Sequence, residues 1–106
     1  MIHYNVWFAF RDGASEADGV ARVRDFLDDL RQRRRVDDFK LLRSRAPSGQ
    51  TRLARFHAVI MFTDQVQFDA AFRDVESTGV RAGRHGLMIA DVDTFIVEIF
   101  DELPRA

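Results

Sequence analysis

The chain has 106 residues, of which 46% are hydrophobic and 31% charged, the size and balance of one globular domain. Sixteen basic residues (16) against 17 acidic ones give a net charge of -1, which removes the basic excess that accompanies non-specific nucleic-acid binding. Cysteine is absent, and that excludes disulfide frameworks, thiolate nucleophiles and cysteine-ligated metal centres.

At this length roughly 60 to 70% of the unfolded chain's surface can be buried, enough for one core without a metal or disulfide staple. No apolar run approaches the roughly 20 residues of a bilayer span. The opening MIHYNVWFAF has no basic region of the secretory kind. The expectation is a single cytoplasmic domain over residues 1–106. Lys40 is the one lysine among the basic residues, and the arginine excess implies no mechanism.

Ile2 to Phe10 alternates with period two, placing Ile2, Tyr4, Val6, Phe8 and Phe10 on one face and His3, Asn5, Trp7 and Ala9 on the other. This predicts a strand. Arg11-Asp12-Gly13 signals a turn, and Ser15 followed by Asp18 resembles a capping box at a helix start. Val20, Val23, Leu27 and Leu30 then recur at helical spacing, with charged residues on the remaining surface. The basic run Arg31 to Arg35 ends this helix, where cations favour the negative end of its dipole.

Val36 to Ala46 predicts a second strand with Phe39 and Leu41 on its apolar side, and Arg55 to Phe62 a third. Between them, Ala46-Pro47-Ser48-Gly49-Gln50-Thr51 predicts the long tip of a hairpin. Asp64 with Gln67 offers a second cap, and Phe68, Ala71, Phe72 and Val75 mark a shorter helix stopped near Gly79. Val80 to Asp91 has no clean period and reads as a long connector, with a short helical turn at Leu87-Met88-Ile89 as the other reading. Val92 to Phe100 is the final strand, Phe95, Val97 and Ile99 facing one way.

The order β-α-β-β-α-β predicts an α+β, ferredoxin-like fold: a four-stranded antiparallel sheet with two helices on one face. The helices cover the more apolar sheet face, which assigns the Ile2–Phe10 row, Phe39, Leu41, Phe56, Ile60, Phe62, Phe95, Val97 and Ile99 to the core. The opposite face collects Trp7, Leu42, Val59, Met61, Ile96 and Phe100 beside His3, Asn5, Lys40, His57 and Glu98. Such an exposed apolar patch marks a partner or ligand surface.

The succession of IHYNVWFAF, the capped first helix, RFHAVIMF, FDAAF and DTFIVEIF resembles the dimeric α/β-barrel superfamily over nearly the whole chain, and above all its small uncharacterised bacterial members. The resemblance implies a homodimer formed sheet to sheet. It also implies a small-molecule pocket, either between the sheet and its own helices or at the barrel mouth. Members of the superfamily include cofactor-free monooxygenases, isomerases, haem-dependent enzymes and proteins without known activity, so fold alone leaves function open. Asn5, Trp7 and a histidine match the haem-degrading members only in part, since no histidine lies on the second predicted helix.

The candidate catalytic residues are His57, His85 and Glu98, because imidazole and carboxylate are suited to proton transfer. Asn5, Trp7 and Arg84 are the candidate ligand contacts, Arg84-His85-Gly86 lying between glycines in the connector, with the arginine placed to steer an anion. A hydrogen-bonded interface histidine is the structural alternative for His57, and plain turn geometry the alternative for Gly83 and Gly86. The three histidines are too far apart in sequence for metal-ligand spacing, so neither metal nor cofactor is expected.

Arg55 to Phe62 also aligns with the third strand of an RNA-recognition motif, but His57 and Val59 stand where stacking aromatics belong. The sequence thus predicts a homodimer binding a small organic molecule, as a cofactor-free monooxygenase or isomerase-like enzyme. A non-enzymatic structural or stress-responsive dimer is the alternative, and RNA binding a more distant one. No membrane partner is expected.

Overall fold

The computed structural model describes residues 1–45 and 53–105. Its elements are β1 (Ile2–Phe10), α1 (Glu16–Gln32), β2 (Asp38–Arg43), β3 (Phe56–Phe62), α2 (Gln65–Thr78), α3 (Gly83–Ile89) and β4 (Val92–Asp101). The strands form one sheet in the order β2-β3-β1-β4, and every neighbouring pair is antiparallel. This is the ferredoxin-like order, with a third short helix inserted where the sequence pattern showed a long connector. The predicted hairpin tip, residues 46–51, lies outside the described residues.

Strand register follows the alternation. Tyr4, Val6 and Phe8 pair with Ile60, Ala58 and Phe56 on β3 and with Ile99, Val97 and Phe95 on β4, so these residues share the helix-facing side. Phe8 stacks on Phe56 at 5.8 Å, Phe10 lies 5.3 Å from Phe56, and Tyr4 meets Phe72 edge-on at 5.4 Å. Val23, Leu27 and Leu30 of α1 close over this layer, and Leu27 and Val36 are its most completely buried large side chains.

The helices do not reach across the whole sheet. Phe95 and Ile99, expected in the core, are 67% and 55% exposed. Their parity is as predicted, but β4 is an edge strand and α1 and α2 lie over the other side of the sheet, where Phe39, Phe56, Ala58 and Phe62 are buried. Period-two alternation identifies a face; it does not say how far the covering layer extends.

Both helix starts use the predicted caps. The Ser15 hydroxyl accepts from the Asp18 amide at 3.2 Å. At α2 the Asp64 carboxylate accepts from the Gln67 amide at 2.9 Å while the Gln67 side chain accepts from the Thr63 amide at 2.7 Å, so donors at this end are satisfied in both directions. α1 ends in a Schellman arrangement: the Arg35 amide donates to the Leu30 carbonyl at 2.8 Å and the Arg34 amide to the Arg31 carbonyl at 3.0 Å. That geometry requires a left-handed residue, and Arg34 supplies it at φ 58°.

A side chain in the left-handed region costs about 1–2 kcal/mol relative to the right-handed one, a penalty glycine escapes. Arg34→Gly is therefore expected to stabilise the fold by about 1 kcal/mol in denaturant unfolding; a loss of stability would show that the arginine side chain contributes more than its backbone strain.

Candidate functional site

Small side chains leave a hollow between the sheet and the helices. Ala58 on β3 stands opposite Val6, and Ala71 is the buried residue of α2. With Val97 on β4 they border a cavity of about 520 Å³, within the range that holds a small organic molecule. Val6, Phe8, Leu27, Ile60 and Met88 make its walls apolar, and polar groups enter only at Tyr4, Arg81, His85 and Asp93.

Tyr4 sits between Phe68 and Phe72, and burial pushes its phenol above the ordinary range, so the hydroxyl remains a proton donor at neutral pH. That hydroxyl has no hydrogen-bond partner among the described residues. His85 packs edge-on against Phe26 at 5.2 Å, with Nδ1 against the Val80 carbonyl. A carbonyl can only accept, so Nδ1 carries the proton and the neutral ring keeps its lone pair on Nε2. Gly86 permits this arrangement: a Cβ there would collide with the Arg81 carbonyl.

α3 buries no residue completely; Met88 packs partly against the core, and ion pairs add to its attachment. Arg84 reaches Asp25 at 3.1 Å and Asp29 at 3.5 Å. Arg33 continues the series from Asp29 to Asp74, both at 3.0 Å, and Arg35 also binds Asp74 at 2.7 Å. The hydrogen bond from Arg35 is the main reason the Asp74 carboxyl lies below the usual carboxylate range. At the other end of α3, Asp91 receives Arg11 and Arg22, each at 2.7 Å.

These contacts change the expected role of Arg84. It borders a smaller cleft of about 350 Å³ between the helices, and its guanidinium is committed to two carboxylates. Arg81, which the sequence pattern did not single out, borders the larger cavity and enters no ion pair among the described residues. It lies in the turn before α3, outside any helix, so no spacing in the sequence marked it.

Asn5, Trp7 and His57 come together on the opposite side of the sheet. Asn5 is only 7% exposed; its Oδ1 lies 2.8 Å from His57 Nε2, and its Nδ2 donates to the His3 carbonyl at 3.4 Å. The second contact orients the amide, so His57 Nε2 is the donor and Nδ1 keeps the lone pair of the neutral ring. Trp7 stacks on the imidazole at 4.2 Å and 17°, which occupies one ring face that a nucleic-acid base would need.

Glu98 pairs with Asn5 across β1 and β4, whereas His57 pairs with Trp7 across β1 and β3. The two candidate catalytic groups thus flank β1 on the same face without a bond between them. His85 and Arg84 lie beyond the sheet, on the helix side. The sheet stands between His85 and the group Asn5, Trp7, His57 and Glu98, so a pocket lined by some of these candidates cannot include members from both sides. Among the described residues no group of three or more histidine, aspartate and glutamate side chains is placed to hold a metal, and no helix is long and apolar enough to cross a membrane.

Burial lowers the His57 pKa from its ordinary 6.5, because desolvation penalises the imidazolium. The unfolded chain then binds a proton more readily than the folded one, so this contribution to stability is present above pH 6.5 and falls away as pH drops from there through the folded value. The expected result is a His57 ring titration by NMR with its midpoint below 6.5, and a fall in stability below that pH that is smaller in His57→Leu. A midpoint above 6.5 would contradict it.

Comparisons with known proteins place this geometry among similar folds. The chain superposes on Arabidopsis thaliana At3g17210 with a TM-score of 0.77 at 8% identity, over 100% of this chain and 99% of that one. A dimeric ferredoxin-like protein of unknown function from Jannaschia sp. CCS1 gives 0.66 at 14% identity, over 95% and 98% of the two chains. A dabb family protein with a ferredoxin-like fold from Mesorhizobium loti gives 0.55 at 20% identity, over 97% of each. Likeness at such identities is one of fold. No curated protein matches the sequence. A family model does match it, from residue 1 to residue 106, and the chain belongs to that family of unknown function, DUF6614.

Proposed function

We propose that this chain forms a homodimer of the α/β-barrel type and binds a small, largely apolar organic acid or phenol in the cavity between its sheet and its helices. The observation that carries this reading is the composition of the cavity wall: about 520 Å³ of apolar space entered by Tyr4, Arg81 and His85, with the Asp93 carboxylate also on its lining. Aromatic and aliphatic walls exclude water from the body of a ligand, and a few placed polar groups orient it. Dimeric ferredoxin-like proteins among the similar structures support the assembly.

The polar groups divide the work of a proton transfer. His85 Nε2 offers a lone pair, the Tyr4 hydroxyl offers a proton to an oxygen that gains charge, and the Arg81 guanidinium holds a carboxylate or phenolate. This chemistry suits isomerisation, or the deprotonation that starts cofactor-free oxygenation of an aromatic ring. The reading moves the anion-binding role from Arg84 to Arg81. It places the catalytic role on His85, with His57 and Glu98 on the opposite face serving the interface.

The test is a thermal-shift titration with 2-naphthoate and its neutral amide. Both are expected to stabilise the wild type, by about 2.7 kcal/mol at a hundredfold excess over Kd. Arg81→Ala should weaken the acid about tenfold and leave the amide unchanged, while Ala58→Leu, which fills the cavity, should abolish both shifts. No shift in the wild type, or unaltered binding to a folded Ala58→Leu, would overturn the reading.

A further inference from the structure

Two opposite charges, Arg81 and Asp93, border the large cavity without a counter-charge of their own. Arg81 lies in the turn before α3 and Asp93 is the second residue of β4, so α3, a helix about 10 Å long, stands between them in the chain. Both side chains are exposed, and neither enters an ion pair among the described residues, with the other or with any third group. Their neighbours behave differently. Asp91 receives Arg11 and Arg22, and Arg84 reaches Asp25 and Asp29. The charges that fasten the two ends of α3 are paired, and the two that line the cavity are not.

Asp93 owes its place to a bulge. Across β1 and β4, Phe8 pairs with Phe95 and Ala9 with Thr94, but Phe10 pairs with Val92, which leaves Asp93 as an extra residue with no partner on β1. Val92 and Asp93 are successive in the chain and both line the cavity, where strict alternation would turn one of them to the opposite face. Val92 packs against the core, and the carboxylate stands beside it on the strand that also brings Phe95 and Val97 to the cavity wall. A bulge of this kind re-aims a side chain.

We propose that the cavity selects an elongated apolar acid with an amine at its far end, its carboxylate held by Arg81 and its ammonium by Asp93. This rests on the cavity reading above and names the class of acid. A ligand lying along the apolar wall takes water from both charged side chains. An acid with a plain hydrocarbon end satisfies Arg81 and leaves Asp93 partly desolvated without a counter-charge, whereas an ammonium compensates the carboxylate. A dicarboxylate sets like charge against Asp93 and is rejected. The separation of the two side chains by α3 favours charges at opposite ends of a rigid ring system over an α-amino acid, whose charges sit on adjacent carbons.

Both groups keep some contact with solvent, so the second contact has the strength of a partly exposed ion pair, about fivefold in affinity, and salt screens it. Calorimetric titration with 2-naphthoate, 6-(aminomethyl)-2-naphthoate and 6-(hydroxymethyl)-2-naphthoate reads it directly, the last two being nearly equal in size. The wild type is expected to bind the amine about fivefold more tightly than the alcohol at low salt, and the preference should shrink as salt is added. Asp93→Asn should bind the two alike. Asp93→Lys should reverse the selection and take 2,6-naphthalenedicarboxylate in preference to the amine. A wild type that binds 2-naphthoate yet shows no preference for the amine, or an Asp93→Asn protein that keeps the preference, overturns this assignment and leaves the cavity reading standing. A wild type that binds none of these acids overturns both.

Discussion

β1 is the constraint on which the rest of the structure depends. Both of its hydrogen-bonding edges are occupied, by β3 on one side and β4 on the other, so its register is held from two directions. With the register held, successive side chains have no choice of environment: Tyr4 enters the cavity beneath the helices, and Asn5, one residue on, joins His57 on the opposite face. A one-residue slip would exchange the two sets and place an amide among phenylalanines. The sheet is the wall between the cavity that Tyr4 lines and the face that carries Asn5 and His57.

The helix side is hollow because different forces hold its parts. α1 is anchored by Val23, Leu27 and Leu30, whereas α3 completes the cavity wall with no fully buried residue. The alternating series Asp25, Arg84, Asp29, Arg33, Asp74 and Arg35 ties α1, α3 and α2 along one seam. Each exposed pair contributes little alone, about 0–1 kcal/mol, but a network sharing its charges orients an element that lacks a core of its own. Packing α3 down with large apolar side chains would fill the cavity that it borders.

Much of this was legible in the residues. Alternation in Ile2–Phe10 identified the two faces of β1, and Ser15, Asp64 and Gly79 marked helix boundaries where the structure has them. Three features were not legible, for separate physical reasons. Gly83–Ile89 carries two poor helix formers and no side-chain cap, so α3 depends on tertiary contacts rather than on propensity. The exposure of Phe95 and Ile99 is set by the reach of the helical layer, which strand parity does not encode. His57 and His85 are equally conspicuous as histidines, yet only three-dimensional register shows that the sheet separates them. Arg81 was hidden by its neighbour Arg84, which is closer to His85 in sequence but turned toward Asp25 and Asp29.

Trp7, the chain's single tryptophan, reports on the central claim that the face carrying it is covered in the working protein. Acrylamide quenching of its fluorescence, followed together with far-ultraviolet circular dichroism at micromolar protein, makes the measurement. The account predicts blue-shifted emission that acrylamide quenches weakly until the fold is lost. Solvent-like emission and strong quenching in a chain that circular dichroism shows to be folded would contradict it, leaving the sheet face open to water.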